Sequence, residues 1–411
     1  MIDFRKSVSE RFIRYTQFDT MSDPSLAGVK RPTTDGQVVM QKALAKELEE
    51  LGLEVSYGKE CVVRGLVKAN VPGVLPIGFM AHVDTADDVM GNGVKAQRHI
   101  YTGGDIVLNG GTVIRENENP SLSSYMGTEI ITSDGTTLLG ADDKAGAAEI
   151  MEAVRYLVEH PEIKHGDIEV FFTPDEETGA GMDQFPYHEQ ISKVCYTMDG
   201  GAEGEIESEC FNAASVIISI HGVSTHLGSA RGKLVNALTV ASAISMTIPH
   251  SESPEATDER YGYYHVGEIR GTHVEAQMEV LIRDFDSDSF DFRINAQKDL
   301  AQAVGNIYHA RVEVSVRISY RNMALANAKH PEAIDAVMNA GKELGLEFFP
   351  ALIRGGTDGA RMAEKAGVPC PNLFTGGHNY HSLEEWVSDE VMSRSVNMIL
   401  AIIDYQVKNR K

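Results

Sequence analysis

Between Asp35 and Gly52 the apolar residues Met40, Leu44, Leu48 and Leu51 recur at helical spacing and Gly52 supplies a stop, so the pattern predicts an amphipathic helix. Two short apolar runs follow, Cys61–Val67 and Val74–Met80. The second leads directly into Ala81-His82-Val83-Asp84, which reads as a strand opening onto a polar loop. Beyond a Gly- and Asn-rich stretch at 103–119, Ala147, Ile150, Met151, Val154, Leu157 and Val158 mark one face of a helix opening near Asp142. Ile168–Thr173 and Val194–Met198 read as further buried strands. Strands alternating with helices predict an α/β layer on a largely parallel sheet, where ligands gather at the carboxyl ends of the strands.

After about Ser208 the rhythm changes. Strand Ala214–His221, helix Leu234–Ile248, strands Tyr263–Arg270 and Val274–Phe285, helix Ser289–His309 and strand Val312–Tyr320 spell βαββαβ, the order of a ferredoxin-like α+β sandwich. Val312, Val314, Val316, Ile318 and Tyr320 alternate as a half-buried strand should. We therefore expect an inserted domain at 209–320 between two parts, 1–208 and 321–411, of one larger domain. In the returning part, Pro331–Gly345 predicts a helix and Pro369–Phe374 a short strand. Met392, Val396, Ile399, Ile403 and Val407 predict a final amphipathic helix.

With 411 residues, 42% hydrophobic and 24% charged, the chain has ordinary globular composition and enough length for more than one core. Lys and Arg number 37 against 60 Asp and Glu, a net charge of −23 that repels phosphate backbones, so no nucleic-acid partner is expected. Cys61, Cys195, Cys210 and Cys370 form no CxxC pair and read as reduced core thiols. The opening residues lack the apolar core of a signal peptide, and no run approaches the length of a membrane span. The expectation is a cytoplasmic protein without a membrane partner.

Candidate chemistry collects at the predicted strand ends. His82 and Asp84 are two apart and share a face of extended backbone, although a simple turn accounts for them equally. Asp142 and Asp143 stand at a helix start, where carboxylates also serve as caps. Asp175, Glu176 and Glu177 are three successive acids that repel unless a cation or proton compensates, Asp199 closes a strand, and His381 follows the strand near Phe374. Two imidazoles and several carboxylates on one sheet edge point to a metal site. Such mixed ligands suit zinc, then manganese or cobalt, and carboxylate-rich sets suit two ions.

His82-Val83-Asp84, Gly140-Ala141-Asp142-Asp143-Lys144-Ala145-Gly146, Pro174-Asp175-Glu176-Glu177-Thr178-Gly179, Met198-Asp199-Gly200-Gly201 and His378-Asn379-Tyr380-His381 resemble, in order and spacing, motifs of the M20 metallopeptidases. These are the zinc-dependent aminoacylase and carboxypeptidase-like family, and the likeness spans nearly the whole chain. The segments Phe211–Ser215, Gly232–Ala237, Ile282–Asp286, Ile353–Gly359 and Pro369–Gly377 are similar to those of its tripeptide aminopeptidases. The resemblance implies a zinc-peptidase domain with a mixed, largely parallel sheet flanked by helices, and an inserted ferredoxin-like lid used for homodimerisation.

It further implies two Zn2+ ions per subunit, with Mn2+ or Co2+ as substitutes: His82, Asp142 and Asp199 on one, Asp142, Glu177 and His381 on the other, Asp142 bridging. Asp84 then orients His82, and Glu176 is the general base that takes a proton from water and returns it to the leaving amine. His226 occupies the position of a histidine that steadies the oxyanion, often in the partner subunit's site, with Leu227 where proline is usual. Arg354 and Asn236 match positions that bind the substrate's carboxylate or backbone, a task suited to the arginine fork. Lys144 and Arg283 read equally well as packing or ion-pair residues. The implied reaction removes the N-terminal residue from short peptides, above all tripeptides. A dipeptidase, a carboxypeptidase, an N-acyl amino acid deacylase or a non-catalytic peptide-binding relative are the alternatives.

Overall fold

The computed structural model describes residues 1–410 and divides them into two compact units. The first takes Met1–Ser208, Leu325–Ala351 and the segment from Thr357 on. The second takes Glu209–Ala324 and Leu352–Gly356. The first unit leaves off at Ser208, and the chain returns to it at Leu325. The five-residue excursion at Leu352–Gly356 carries Arg354 into the second unit, and no hydrophobic period marks it.

The first unit is built on an eight-stranded sheet in the order Glu54–Tyr57, Val63–Val67, Ile168–Thr173, Ile77–His82, Val194–Gly200, Asn372–Phe374, Glu205–Cys210 and Phe349–Ile353. Ile168–Thr173, Ile77–His82, Val194–Gly200 and Asn372–Phe374 run parallel. Val63–Val67 and Glu54–Tyr57 continue the sheet antiparallel on one side, as does Glu205–Cys210 on the other. The sheet is thus mixed, with parallel pairing at its centre. Short connections such as that between Glu54–Tyr57 and Val63–Val67 have no room for a crossover helix and allow only antiparallel pairing.

The central strands are apolar throughout because both faces are covered. Phe79, Val170 and Tyr196 pack with Ile150, Val154, Val396 and Ile399 of the helices Ala141–Glu159 and Asp389–Lys408. Met80, Phe171 and Cys195 point the other way, against Phe185, Met362 and Cys370. Burying each such side chain fully is worth about 1.5–3 kcal/mol. A helix at Arg5–Tyr15 escaped the pattern because only Val8, Phe12 and Tyr15 carry its apolar stripe among charged residues.

A second, antiparallel sheet of the first unit joins Gly377–His378, Trp386–Ser388, Glu129–Thr132 and Gln97–Ile100 in that order. The periodicity gave no sign of it, since two of its strands are only two or three residues long. It makes the chain around His381 a hairpin loop.

The second unit is a four-stranded antiparallel sheet, Tyr263–Gly271, Glu275–Asp284, Asn212–His221, Arg311–Tyr320. The helices Ala237–Ser245 and Ser287–Tyr308 cover one face, burying Val216, Ile218, Val280 and Ile282 with Val240, Ile244 and Phe290. Its elements follow the βαββαβ order. All four cysteines are free, but Cys61 corrects the expectation of core thiols, being partly exposed at a left-handed backbone position (φ 53°). Among the described residues no helix is long and apolar enough to cross a membrane.

Candidate metal centre

The carboxyl ends of the parallel strands converge with one helix start and one hairpin. Ile77–His82 ends on His82, Ile168–Thr173 runs into Asp175-Glu176-Glu177, and Val194–Gly200 carries Asp199. The helix Ala141–Glu159 follows Gly140, whose φ of 81° suits glycine. A Cβ at Gly146 would fall on the Met198 carbonyl oxygen, so glycine lets the helix start approach the Asp199 strand closely.

His82 is 3% exposed. Its Nε2 lies 2.9 Å from Asp142 Oδ1 and 3.5 Å from Asp199 Oδ1. The other Asp142 oxygen, Oδ2, lies 3.3 Å from His381 Nε2, which is 3.1 Å from Glu177 Oε1. One carboxylate therefore faces two imidazoles, and each imidazole has one further carboxylate beside it. Asp143 also comes within cation-binding reach of His82 and Asp199. Its oxygens, however, accept the His82 and Gly146 backbone N–H groups (both 3.2 Å).

Asp84 is buried and does more than its spacing foretold. Its backbone carbonyl lies 3.1 Å and its Oδ1 3.4 Å from His82 Nδ1, while its two carboxylate oxygens accept the N–H groups of Glu176 (3.0 Å) and Glu177 (3.2 Å). It thus holds the imidazole and the acidic pair together. Asp175, the third acid of that run, is turned away and accepts from the Thr33 hydroxyl (2.6 Å) and Gln37 amide (2.8 Å).

Burial pushes the carboxyls of Glu176 and Asp199 up and that of Glu177 up to about 7, with neighbouring acids adding to each rise. Burial also opposes ionisation of Asp142, but the His381 and His82 imidazoles outweigh it and hold its carboxyl below the usual range. His381 is in turn raised to about 11 by Asp142 and Glu177. In effect, the carboxylates draw protons onto the imidazoles to supply positive charge. A divalent cation meets the same demand with the imidazoles neutral, and nitrogen and carboxylate donors in this ratio fit zinc, manganese or cobalt.

The sequence matches the family described as Peptidase family M20/M25/M40 over residues 134–405. It is 43% identical over 403 residues to "Peptidase T" of Caldanaerobacter subterraneus subsp. tengcongensis, covering 97% of this chain and 98% of the relative. The chain belongs to peptidase family M20. Escherichia coli K12 "Peptidase T" is likewise 43% identical, over 98% of this M20 peptidase and 99% of the relative. In fold, the M20 chain is similar to the aminopeptidase PepT of Bacillus cereus (TM-score 0.76, 24% identity, 98% and 99% of the two chains). A tripeptidase of Staphylococcus aureus gives a TM-score of 0.77 at 20% identity, covering 98% and 99%. As an M20 peptidase the protein is a hydrolase of peptide bonds.

Three sequence-predicted residues of this peptidase lie in its second unit. His226 stands in an exposed loop, its Nδ1 accepting the Gly228 N–H (3.1 Å). Asn236 caps the helix Ala237–Ser245, its Oδ1 accepting from Leu238 (3.0 Å) and Thr239 (3.4 Å). The Arg354 guanidinium donates to the carbonyls of Glu259 (2.7 Å), Tyr261 (3.0 Å) and Thr257 (3.2 Å) and lies over the Phe211 ring. Of the two ambiguous residues, Lys144 is buried with Nζ on the Phe18 carbonyl (2.8 Å), and Arg283 donates to the Ile282 carbonyl (3.0 Å).

Sequence reasoning missed Asp88, whose Oδ2 lies 3.1 Å from His381 Nδ1, and Asp358, which accepts the Thr173 hydroxyl at 2.5 Å. Asp358 lay within a quoted segment, though nothing singled it out. Asp88 carried no signal beyond being acidic.

Proposed function

We propose that this M20 peptidase is a two-zinc aminopeptidase that removes the N-terminal residue from short peptides, tripeptides foremost. The observation that carries the reading is Asp142, one carboxylate facing the Nε2 atoms of His82 and His381 through its two oxygens. His82, Asp142 and Asp199 hold one zinc, and Asp142, Glu177 and His381 the other, with Mn2+ or Co2+ as substitutes. When bound, the two cations supply Lewis acidity that polarises a peptide carbonyl and acidifies water.

Glu176 is the general base. Burial raises its carboxyl, which suits it to accept a proton from the attacking water and return it to the leaving amine. Asp84 keeps Glu176 and His82 in register through the backbone bond to one and the imidazole contact with the other. His226 steadies the oxyanion, in cis or in the partner's site. Arg354 is assigned to the substrate carboxylate and Asn236 to the peptide backbone. The name "Peptidase T" of relatives 43% identical supports the substrate class. Homodimerisation is assigned to the second unit, and four free cysteines support a reducing, cytoplasmic setting.

The test is mass spectrometry of products from free, N-acetylated and C-amidated tripeptides, with a dipeptide and a tetrapeptide alongside, after zinc loading. Loss of only the first residue, blocked by N-acetylation, is expected. Cleavage from the other end, removal of the acyl group, or metal binding without turnover selects a carboxypeptidase, a deacylase or a binding protein instead.

A further inference from the structure

The loop 379–385 joins the strands Gly377–His378 and Trp386–Ser388, with His381 inside it and Glu385 at its end. Asn379 and His381 both sit at left-handed φ (55° and 59°), a region that asparagine and histidine tolerate better than most side chains. Within the loop the Ser382 hydroxyl donates to the Asn379 carbonyl (2.7 Å) and accepts the Glu384 N–H (3.1 Å), and further side-chain anchors tie it to its surroundings. Asn379 Nδ2 donates to Asn119 Oδ1 (2.6 Å), and the Tyr380 hydroxyl donates to the Gly200 carbonyl (3.0 Å).

The strongest anchor is Glu385, a buried carboxylate with both oxygens engaged by backbone donors. Oε2 accepts the N–H groups of Leu139 (2.7 Å) and Gly140 (2.8 Å), and Oε1 accepts that of Asp142 (3.1 Å). Three backbone N–H groups thus converge on one carboxyl, and all three belong to the segment that delivers Asp142. One short loop therefore brings an imidazole to the Asp142 side chain through His381 and grips the Asp142 backbone through Glu385.

We propose that Glu385 is a positioning residue that sets the separation of Asp142 from His381, and so the affinity of the cation these two residues share. The inference rests on the metal-centre reading above. Glu385 touches neither cation nor substrate; it acts through the backbone of one ligand and the loop of another. Removing such outer partners of metal ligands costs roughly 10–100-fold in metal affinity or activity.

The test titrates metal-free wild type, Glu385→Gln and Glu385→Asp with Zn2+ against a competing chelator, and measures kcat and KM at limiting and excess zinc. Gln keeps the shape but only one acceptor oxygen, while Asp keeps the charge on a shorter stem. We expect two equivalents in wild type. In both variants the first should bind within 3-fold of wild type and the second about 10–100-fold more weakly. The kcat should fall at limiting zinc and recover with excess, with KM nearly unchanged. A merely structural role would weaken both equivalents together or leave kcat unrescued by zinc, and either result overturns the proposal. So does wild-type affinity for both equivalents, or failure of both variants to fold. If wild type itself binds fewer than two equivalents, the metal-centre reading is what has failed, and this inference falls with it.

Discussion

His82 and His381 present the same atom to the same carboxylate, yet they are held in opposite ways. His82 ends a strand paired on both sides and is 3% exposed, with its remote nitrogen against the buried Asp84. His381 has a side chain 41% exposed, sits at positive φ in a hairpin loop, and turns its remote nitrogen to Asp88, itself 61% exposed. The sheet presets one half of the centre before any cation arrives, and side-chain anchors assemble the other. The loop-borne half should therefore yield first to mutation, to metal depletion and to acid.

The largest effect should come from the residue that belongs to both halves. Asp142→Ala removes the shared carboxylate and is expected to abolish binding of both zinc equivalents along with activity. Metal analysis after dialysis checks this, and a variant that retains two tight equivalents would show that the halves do not share a ligand. Glu176→Gln sharpens the comparison from the other side. It should leave both equivalents in place and lower kcat by about 10²–10⁴-fold, the usual worth of a general base. A variant with near wild-type turnover would remove Glu176 from that role.

What the sequence revealed follows the same division. Strand-borne residues were legible because a fully buried strand writes itself as an apolar run, and His82, Glu177 and Asp199 stand at or just beyond the ends of such runs. The second unit was legible too, since Val312 to Tyr320 alternate over a full strand. His381 was found through its motif, but the strands that make its loop a hairpin were invisible, because Gly377–His378 is too short to show a period. Asp88 and Glu385 were missed for a related reason. Each acts through a partner more than a hundred residues away in sequence or across a loop, and neither charge nor spacing encodes such a contact.

A smaller effect is expected at Asp88. Asp88→Asn keeps the shape but removes the charge beside His381 Nδ1, and an exposed partner contributes less than a buried one. The second zinc equivalent should weaken by about 3–10-fold, less than the roughly 10–100-fold typical of outer partners, with the first unchanged. Chelator competition measures both. Equal weakening of the two equivalents would mean that the halves are coupled more tightly than their exposures suggest.

The mildest test uses acid. His378 lies at the foot of the same hairpin, stacked on Trp386 with ring centroids 3.9 Å apart and its Nε2 3.2 Å from the Tyr125 hydroxyl. Burial lowers its pKa from 6.5 to about 4. Between those values the unfolded chain binds a proton that the folded chain refuses, so stability rises with pH across the window. The contribution is complete above about pH 6.5 and is lost as pH falls towards 4, by up to about 3 kcal/mol in the limit. Denaturant unfolding of wild type and His378→Gln between pH 8 and pH 4.5 should give a difference in stability that changes steadily in favour of the variant as pH falls. His381 is far more exposed than His82, so zinc release on acidification should begin with the equivalent assigned to His381. Parallel stability curves for the two proteins would place the acid sensitivity elsewhere in the fold, and simultaneous release of both equivalents would erase the distinction between the preset and the assembled half.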